Sequence, residues 1–452
     1  MSLIPLMKST SGIRGIVGEA LDPQIVMSYA AAFGRLVGKG AVVIGRDSRP
    51  SGEFISNIVA SVLAMTGRNV IDLGIVPTPT VEMAVVHHRA AGGMAITASH
   101  NPSEWNALKF FDDKGEFITK RQYTRLETMV SINKPKYMPY NKLGKTEYDD
   151  KAVERHIRSV LKIKAIGAAA IKRGRFTVVV DAINGAGSFA LPELLKRLGV
   201  RVVCINCKND GDFFRPPEPT PGHLYELGRA VRKHKADLGM ACDPDADRLA
   251  LVDENGRAVG EELTLALAVA HYLRRKKGPV VINLSTSRVT SDVARMSGCQ
   301  VYLSPVGESN VITEMRKRRA IIGGEGNGGV ILPECHYGRD ALVAAGLVMA
   351  RLADAGKSLS ALVGTLPPYH TIKRKAPLPG GFERKLVGVE KQIRSAFGRV
   401  VIDRRDGLRF DLSEGWIQVR KSNTEPIYRL IVEAQSERRA REMTDFVEKV
   451  LG

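Results

Sequence analysis

One pattern occurs three times along this chain and restricts its fold more than any other feature. An apolar run ends in a polar turn, a helical stretch follows, and a second apolar run comes after it. The first copy is Ala41-Val42-Val43-Ile44, then Gly45-Arg46-Asp47-Ser48-Arg49, and later Asn69-Val70-Ile71-Asp72-Leu73. The second begins Phe176-Thr177-Val178-Val179-Val180-Asp181, turns at Ala182-Ile183-Asn184-Gly185-Ala186-Gly187, and resumes at Val200-Arg201-Val202-Val203. The third begins Pro279-Val280-Val281-Ile282-Asn283, turns at Leu284-Ser285-Thr286-Ser287-Arg288, and resumes at Gln300-Val301-Tyr302-Leu303. Each copy reads as strand, turn, helix and parallel strand, the βαβ unit. Three copies predict three similar α/β domains rather than one large sheet.

Each copy has a third apolar run downstream that leads straight into an unusual polar stretch. Gly92-Gly93-Met94-Ala95-Ile96 leads into Thr97-Ala98-Ser99-His100-Asn101-Pro102. Asp237-Leu238-Gly239-Met240-Ala241 leads into Asp243-Pro244-Asp245-Ala246-Asp247-Arg248. Ala320-Ile321-Ile322-Gly323 leads into Gly324-Glu325-Gly326-Asn327-Gly328-Gly329. Open α/β sheets carry their chemistry at the carboxyl ends of strands. Three equivalent strand ends with three such loops predict domains that face a common cleft.

The flanking segments fit this frame. Asp22-Pro23 starts a helix whose apolar face is Ile25, Val26, Tyr29, Phe33 and Val37, with Gly38 closing it. Ahead of it, Ser9-Thr10-Ser11-Gly12-Ile13-Arg14-Gly15 reads as a glycine-punctuated loop whose arginine suits an anion. Residues 134–145 and the segment near Pro367-Pro368-Tyr369-His370 read as junctions. The last eighty or so residues differ from the rest: short strands at 399–403, 408–412, 416–419 and 427–434 precede a helix from about Ser436. That order predicts a fourth, α+β domain. The expected boundaries are 1–147, 148–253, 254–367 and 368–452.

Composition narrows the class. No run approaches the roughly 20 apolar residues of a membrane span, and the first residues lack a signal peptide's basic-then-apolar pattern. A cytoplasmic protein with no membrane partner is expected. Five cysteines imply no disulfide framework. Cys204 and Cys207 form a lone CxxC that reads as a structural strand end, not a zinc or redox site. The net charge of +19, with basic runs at 274–277 and 316–319, suits an anionic substrate or a nucleic acid, and charge alone does not choose between them.

The polar stretches suggest chemistry. The Ser99 hydroxyl at a strand end can act as nucleophile or group carrier, although such hexapeptides are more often ordinary turns. Asp243, Asp245 and Asp247 alternate along the chain, so their carboxylates can converge on a hard cation such as Mg²⁺. The bland reading is a solvated acidic turn; a calcium EF-hand is excluded because its late Glu is missing. Glu325 and Asn327 lie among glycines that let the backbone approach a ligand, and they offer partners to hydroxyl or amino groups. This loop is not a dinucleotide fingerprint. Arg420-Lys421-Ser422-Asn423-Thr424-Glu425-Pro426 stands between two expected strands and reads as a phosphate cradle or a β-turn.

Taken together, the four stretches resemble the α-D-phosphohexomutases: phosphoglucomutase, phosphomannomutase and phosphoglucosamine mutase. The resemblance spans the chain in the family's order. It implies that Ser99 is a phosphoserine donor and acceptor, and that Asp243, Asp245 and Asp247 hold Mg²⁺ together with a phosphoserine oxygen. It implies that Lys109, ten residues after Ser99, serves acid/base work. Arg14 and Arg248 match arginines near the reacting phosphate, and His100 is counted with the catalytic group. Glu325 and Asn327 match the sugar-reading loop; Arg420, Ser422, Asn423 and Thr424 match the loop for the non-reacting phosphate. Hexose phosphates are the implied substrates and a hexose 1,6-bisphosphate the implied intermediate and activator, with a hinged last domain and a monomer or homodimer.

Departures bear on the substrate. Many relatives read Gly-Glu-x-Ser-Gly-His, where this chain has Asn327 and Gly329. Ser285 stands where some carry lysine, and Pro244 where glycine is usual. Gly324 to Gly329 followed by His336-Tyr337-Gly338-Arg339-Asp340 looks most like phosphoglucosamine mutases, archaeal ones included. Arg339 and Asp340 border the expected cleft. The alternatives are a phosphomannomutase/phosphoglucomutase and a non-catalytic anion or nucleic-acid binder.

Overall fold

The structure is a computed structural model that describes residues 5–132, 135–421 and 427–451. Among the described residues the strands form four sheets. The first sheet holds β1 (Met7–Ser9), β2 (Gly12–Ile16), β3 (Val42–Arg46), β4 (Val70–Ile75), β5 (Gly92–Ile96), β6 (Trp105–Phe111) and β7 (Thr146–Tyr148), in the order β1-β2-β6-β5-β3-β4-β7. The second holds β8 (Thr177–Asp181), β9 (Arg201–Ile205), β10 (Leu238–Cys242) and β11 (Leu249–Val252). The third holds β12 (Val280–Asn283), β13 (Val301–Ser304), β14 (Ile322–Glu325) and β15 (Gly329–Ile331).

The three βαβ readings therefore fold into one repeated sheet. In each, the first strand of the unit is central and pairs in parallel with both the second and the third. The third strand then turns back into an antiparallel fourth: β5 into β6, β10 into β11, β14 into β15. β5, β10 and β14 are buried along their whole length, as expected of strands covered on both faces. Each unusual polar stretch is the turn of this hairpin. The fourth strand was not anticipated; β15 is three residues long and begins in glycine, so only its pairing defines it.

Asp22 caps the first helix, Pro23–Leu36, by accepting from Ile25 N at 2.8 Å. The helix ends at Leu36 with Val37 as its C-cap, and the exposed Gly38 follows directly. The segment that carries Arg14 is a hairpin strand rather than a loop. β2 lies between β1 and β6, with Arg14 opposite Ala107. The stretch after residue 134 returns to the first sheet, where β7 joins β4 in parallel, so the chain adds a strand before it leaves.

The second and third sheets share one core. Helix Ala341–Ala355 is buried nearly end to end, and its Leu342, Leu347 and Val348 join Leu191, Leu194 and Met240 in one apolar cluster.

The fourth sheet holds β16 (His370–Pro377), β17 (Val401–Asp403), β18 (Leu408–Asp411), β19 (Gly415–Lys421) and β20 (Ile427–Ala434), all antiparallel. Helices Phe382–Phe397 and Glu437–Leu451 pack Val389, Ile393, Met443 and Val447 against Phe410, Leu430 and Val432. β16 is an edge strand rich in Lys and Arg, which disguised it as a junction. Its basic side chains keep an edge from pairing with other chains.

Candidate active site

Ser99 sits in the β5–β6 turn at φ +47°, a left-handed conformation unusual outside glycine. The polar turn after the neighbouring β3 holds it there. Arg49 is fully buried and donates to the backbone carbonyls of Ser99, Asn101 (2.7 Å), Pro102 and Trp105 (3.1 Å). Asp47 anchors Arg49 Nε at 2.9 Å and accepts from Thr97 Oγ1 at 2.6 Å; Thr97 Oγ1 in turn accepts from Ser99 N at 2.9 Å. Nothing in the sequence reading assigned Arg49 or Asp47 a role, although their turn was visible as part of the repeat.

The β10–β11 turn faces this serine. Ser99 Oγ donates to Asp243 Oδ2 at 2.8 Å, across 144 residues of sequence. One carboxylate oxygen each from Asp243, Asp245 and Asp247 lie within 4.8 Å of one another, and all three residues are buried. Asp245 Oδ2 accepts from Lys109 Nζ at 2.7 Å and Thr78 Oγ1 at 2.8 Å. Asp247 Oδ2 accepts from Arg339 Nη2 at 2.6 Å. Asp245 Oδ1 and Asp247 Oδ1 are buried and lack any hydrogen-bond partner. A hard cation fits this donor set: the partnerless oxygens are the ones left for it, and their mates are already fixed. Pro244 is accommodated, its carbonyl accepting from Ala186 N at 2.8 Å.

Electrostatics follow from burial and crowding. Burial, then Asp247 and Asp245, push the Asp243 carboxyl well above its usual range. Burial also works against ionised Asp245, but Lys109 outweighs it and holds that carboxyl low. Lys109 is raised: burial opposes its charge, and Asp245 and Asp247 more than offset it. His100 Nδ1 lies 3.4 Å from Ser99 Oγ. Burial, with Arg248, Arg14 and Arg339 nearby, pushes the His100 imidazole well below 6.5, so it is neutral at pH 7. Arg14 donates to Asn101 Oδ1, and burial lowers it to about 10. Arg248 Nε stands 3.6 Å from Asp247 Oδ1 and 3.8 Å from Asp243 Oδ2, with no hydrogen-bond partner of its own.

The β14–β15 turn completes one wall. Glu325 Oε1 accepts from Asn283 Nδ2 at 2.7 Å and Gly307 N at 3.0 Å. Its Oε2 accepts from Arg339 Nη1 at 2.8 Å and Asn327 Nδ2 at 3.4 Å. Burial disfavours this carboxylate, but Arg339 and Asn283 hold it below its usual range. From the fourth sheet, Arg420 at the end of β19 faces the same cavity, its Nε without a hydrogen-bond partner. Ser422, Asn423 and Thr424 lie outside the described residues.

These side chains enclose about 340 Å³, lined by Ser99, Lys109, Arg248, Glu325, Asn327 and Arg420 among others. A mouth of about 970 Å³ shares Arg14, His100, Glu218 and Lys373 with it. Lys373 was missed with its strand; the basic run Lys373-Arg374-Lys375 within β16 was the available signal.

The fold and site define a four-domain enzyme class that handles phosphorylated sugars, and the comparisons agree. Models of phosphoglucomutase/phosphomannomutase α/β/α domains I, II and III match residues 6–136, 154–256 and 261–369, and the C-terminal domain model matches 379–450. The chain belongs to the phosphoglucomutase/phosphomannomutase family. It is 36% identical to a phosphoglucomutase/phosphomannomutase of Thermococcus kodakarensis, over 98% of this chain and 97% of that one. It is also 36% identical to a probable phosphoglucosamine mutase of Methanopyrus kandleri, over 96% and 95%. A crystal structure of a family protein from Burkholderia thailandensis superposes with a TM-score of 0.83 at 27% identity, covering 98% of both chains. The fold is shared with an Aspergillus fumigatus N-acetylphosphoglucosamine mutase solved with GlcNAc-6P and magnesium, at a TM-score of 0.61 and 14% identity, covering 99% of this chain and 95% of that one.

Proposed function

We propose that this chain moves a phosphoryl group between the 6- and 1-positions of a hexose phosphate, through a phosphoserine at Ser99 and a 1,6-bisphosphate. The preferred conversion is glucosamine 6-phosphate to glucosamine 1-phosphate. The contact that carries the reading is Ser99 Oγ to Asp243 Oδ2 at 2.8 Å, at the floor of a cation-lined cavity. Each domain takes one part: 1–147 bears the phosphoserine, 148–253 the metal carboxylates, 254–367 the sugar loop, and 368–452 the distal phosphate site.

Phosphoryl transfer needs position and charge neutralisation more than covalent help from the protein. Mg²⁺, held by Asp243, Asp245, Asp247 and a phosphoserine oxygen, would neutralise charge on the transferring group. Arg14 and Arg248 supply fixed positive charge beside it. Lys109 stays cationic and can give a proton to an oxygen as charge develops there. Asp243 and the neutral His100 are the acceptors within reach of the Ser99 proton. In the first half-reaction the Ser99 Oγ–P bond breaks as a P–O bond forms to the free sugar hydroxyl oxygen, and the proton of that hydroxyl ends on the departing Ser99 Oγ. After the bisphosphate turns over, its other O–P bond breaks as a P–O bond forms to Ser99 Oγ, and the Ser99 proton ends on the released sugar oxygen. Glu325 and Asn327 read the sugar, and Arg420 with Ser422, Asn423 and Thr424 holds the distal phosphate.

The glucosamine preference draws on the Gly324 to Gly329 sequence and on the names of several relatives. Mannose or glucose phosphate is the second reading, because the Thermococcus kodakarensis phosphoglucomutase/phosphomannomutase is equally similar. All five cysteines are free thiols, which supports a cytoplasmic setting. No helix among the described residues is long and apolar enough to cross a membrane. A monomer or homodimer is part of the same reading.

The test compares turnover of glucosamine 6-phosphate, glucose 1-phosphate and mannose 1-phosphate, with Mg²⁺ and a trace of the matching bisphosphate. Glucosamine 6-phosphate should dominate and Ser99→Ala should lose nearly all turnover. Full activity in Ser99→Ala would sink the mechanism. Steeply salt-dependent binding to DNA with no turnover would instead favour the binding-module reading.

A further inference from the structure

Arg339 is buried and spends every terminal of its guanidinium on carboxylates from separate parts of the chain. Nη2 donates to Asp247 Oδ2 at 2.6 Å, Nη1 to Glu325 Oε2 at 2.8 Å, and Nε to Glu308 Oε2 at 3.1 Å. Its backbone N donates to the other oxygen of Glu308 at 2.7 Å. The planar fork thus joins the β10–β11 turn to the β14–β15 turn and is locked from behind by Glu308.

The route of this side chain depends on one glycine. A Cβ on Gly329 would lie 2.3 Å from Arg339 Cδ and 2.9 Å from its Cγ. No side chain fits at 329 while Arg339 runs where it does. Gly329 and Arg339 are a matched pair, one leaving the passage that the other occupies.

We propose that Arg339 is a positioning residue that couples the sugar-reading carboxylate Glu325 to the carboxylate Asp247, with Gly329 as its permissive partner. The proposal rests on the mutase reading of these two loops. Arg339 fixes Asp247 Oδ2 and leaves Oδ1 without a hydrogen-bond partner, in a cluster where each of the three aspartates offers one oxygen within 4.8 Å of the others. It fixes Glu325 Oε2 in the same way. A shift of Glu325 on contact with a sugar is therefore transmitted to Asp247 through one rigid group. Lysine keeps the charge but not the fork, and cannot bridge both carboxylates.

The test uses Arg339→Lys, Gly329→Ala and the double variant in the full chain. Mn²⁺ affinity is read by electron paramagnetic resonance without substrate, KM and kcat with glucosamine 6-phosphate, and thermal stability alongside. Losing one charge-assisted hydrogen bond corresponds to about a tenfold effect or more. Each single variant should weaken Mn²⁺ binding and raise KM together, by about tenfold, and the double variant should be no worse than the weaker single. The proposal is overturned if either folded single variant keeps wild-type Mn²⁺ affinity and KM, or if the two effects add. Should Arg339→Lys fail to fold, Gly329→Ala still decides. A wild type that turns over no hexose phosphate would defeat the mutase reading, while the Mn²⁺ titration would still report on the coupling to Asp247.

Discussion

Arg49 shows how a single buried cation can set the geometry of a nucleophile. The left-handed Ser99 turn persists because four carbonyls around it are held by one guanidinium. Arg49→Lys keeps the charge beside Asp47 but cannot reach them all. Misplacing a reacting atom by about 1 Å costs on the order of a hundredfold in rate, so kcat should fall by that order with KM little changed. Steady-state kinetics and a melting curve would check this, and an unaltered kcat would show that the turn holds itself. Arg49 and Arg339 were printed in the sequence, one within the repeat and the other at the edge of the expected cleft. The carbonyls that Arg49 holds and the carboxylates that Arg339 joins were not legible, because a guanidinium's choice of acceptor is made by distance in space.

At the scale of elements, the three hairpin turns are equivalent, and the strands around them differ in how plainly they can be read. β5 and β10 are apolar runs, visible from composition and length. β15 and β16 are short or basic and exist because a neighbour pairs with them. The β1–β2 hairpin belongs to the second kind, and it delivers Arg14 to the cavity. Gly12 in it has φ +116°, and a Cβ there would lie 2.0 Å from Leu108 O on β6. Gly12→Ala should therefore push β2 off β6 and cost about 1–3 kcal/mol. Denaturant unfolding would show the loss, and turnover should fall with it because Arg14 moves. A variant of wild-type stability would contradict the close approach.

Across the whole molecule, the domains are tied by polar contacts as well as by the shared core. Ser48 Oγ donates to Asn184 O at 2.7 Å, and Leu249 N to Gly328 O at 3.1 Å. The fourth domain meets the third through Arg288 N to Glu433 Oε1 at 2.8 Å, and Ser285 Oγ to Gln418 Oε1 at 2.6 Å. If the last domain closes about this contact, adding a hexose bisphosphate should shrink the radius of gyration in small-angle scattering; an unchanged profile would count against closure. A second network lies away from the cavity and joins three domains. Asp340 Oδ2 accepts from His156 Nε2 at 2.8 Å and His336 Nε2 at 3.0 Å, while Glu82 Oε2 is 3.3 Å from His336 Nδ1. Burial opposes the His336 imidazolium, but Asp340 and Glu82 carry it to about 10 from 6.5. Burial pushes Glu82 to about 8 from 4.5. In both cases the folded chain holds the proton longer than the unfolded one, so stability falls as pH rises. The melting temperature should drop progressively between about pH 4.5 and 10, through Glu82 up to about pH 8 and through His336 from 6.5 upward, and His336→Gln should flatten the upper part of that slope. A melting temperature constant over this range would refute the linkage.

The repeated βαβ order, the placing of three polar stretches at strand ends, and the kinship that the family models bear out can all be read along the chain. These are local properties, written in apolar runs, turn residues and motif spacing. Which charges meet is settled by contacts between segments far apart in the chain. Asp245 finds Lys109 and Thr78 from other parts of the chain, and Glu325 and Asp247 share Arg339. Gly329, which in the sequence was only a departure from the pattern of relatives, proved to be the space through which Arg339 passes. Such partners are chosen when a folded backbone brings distant segments within a few ångströms, and burial then makes each pairing obligatory.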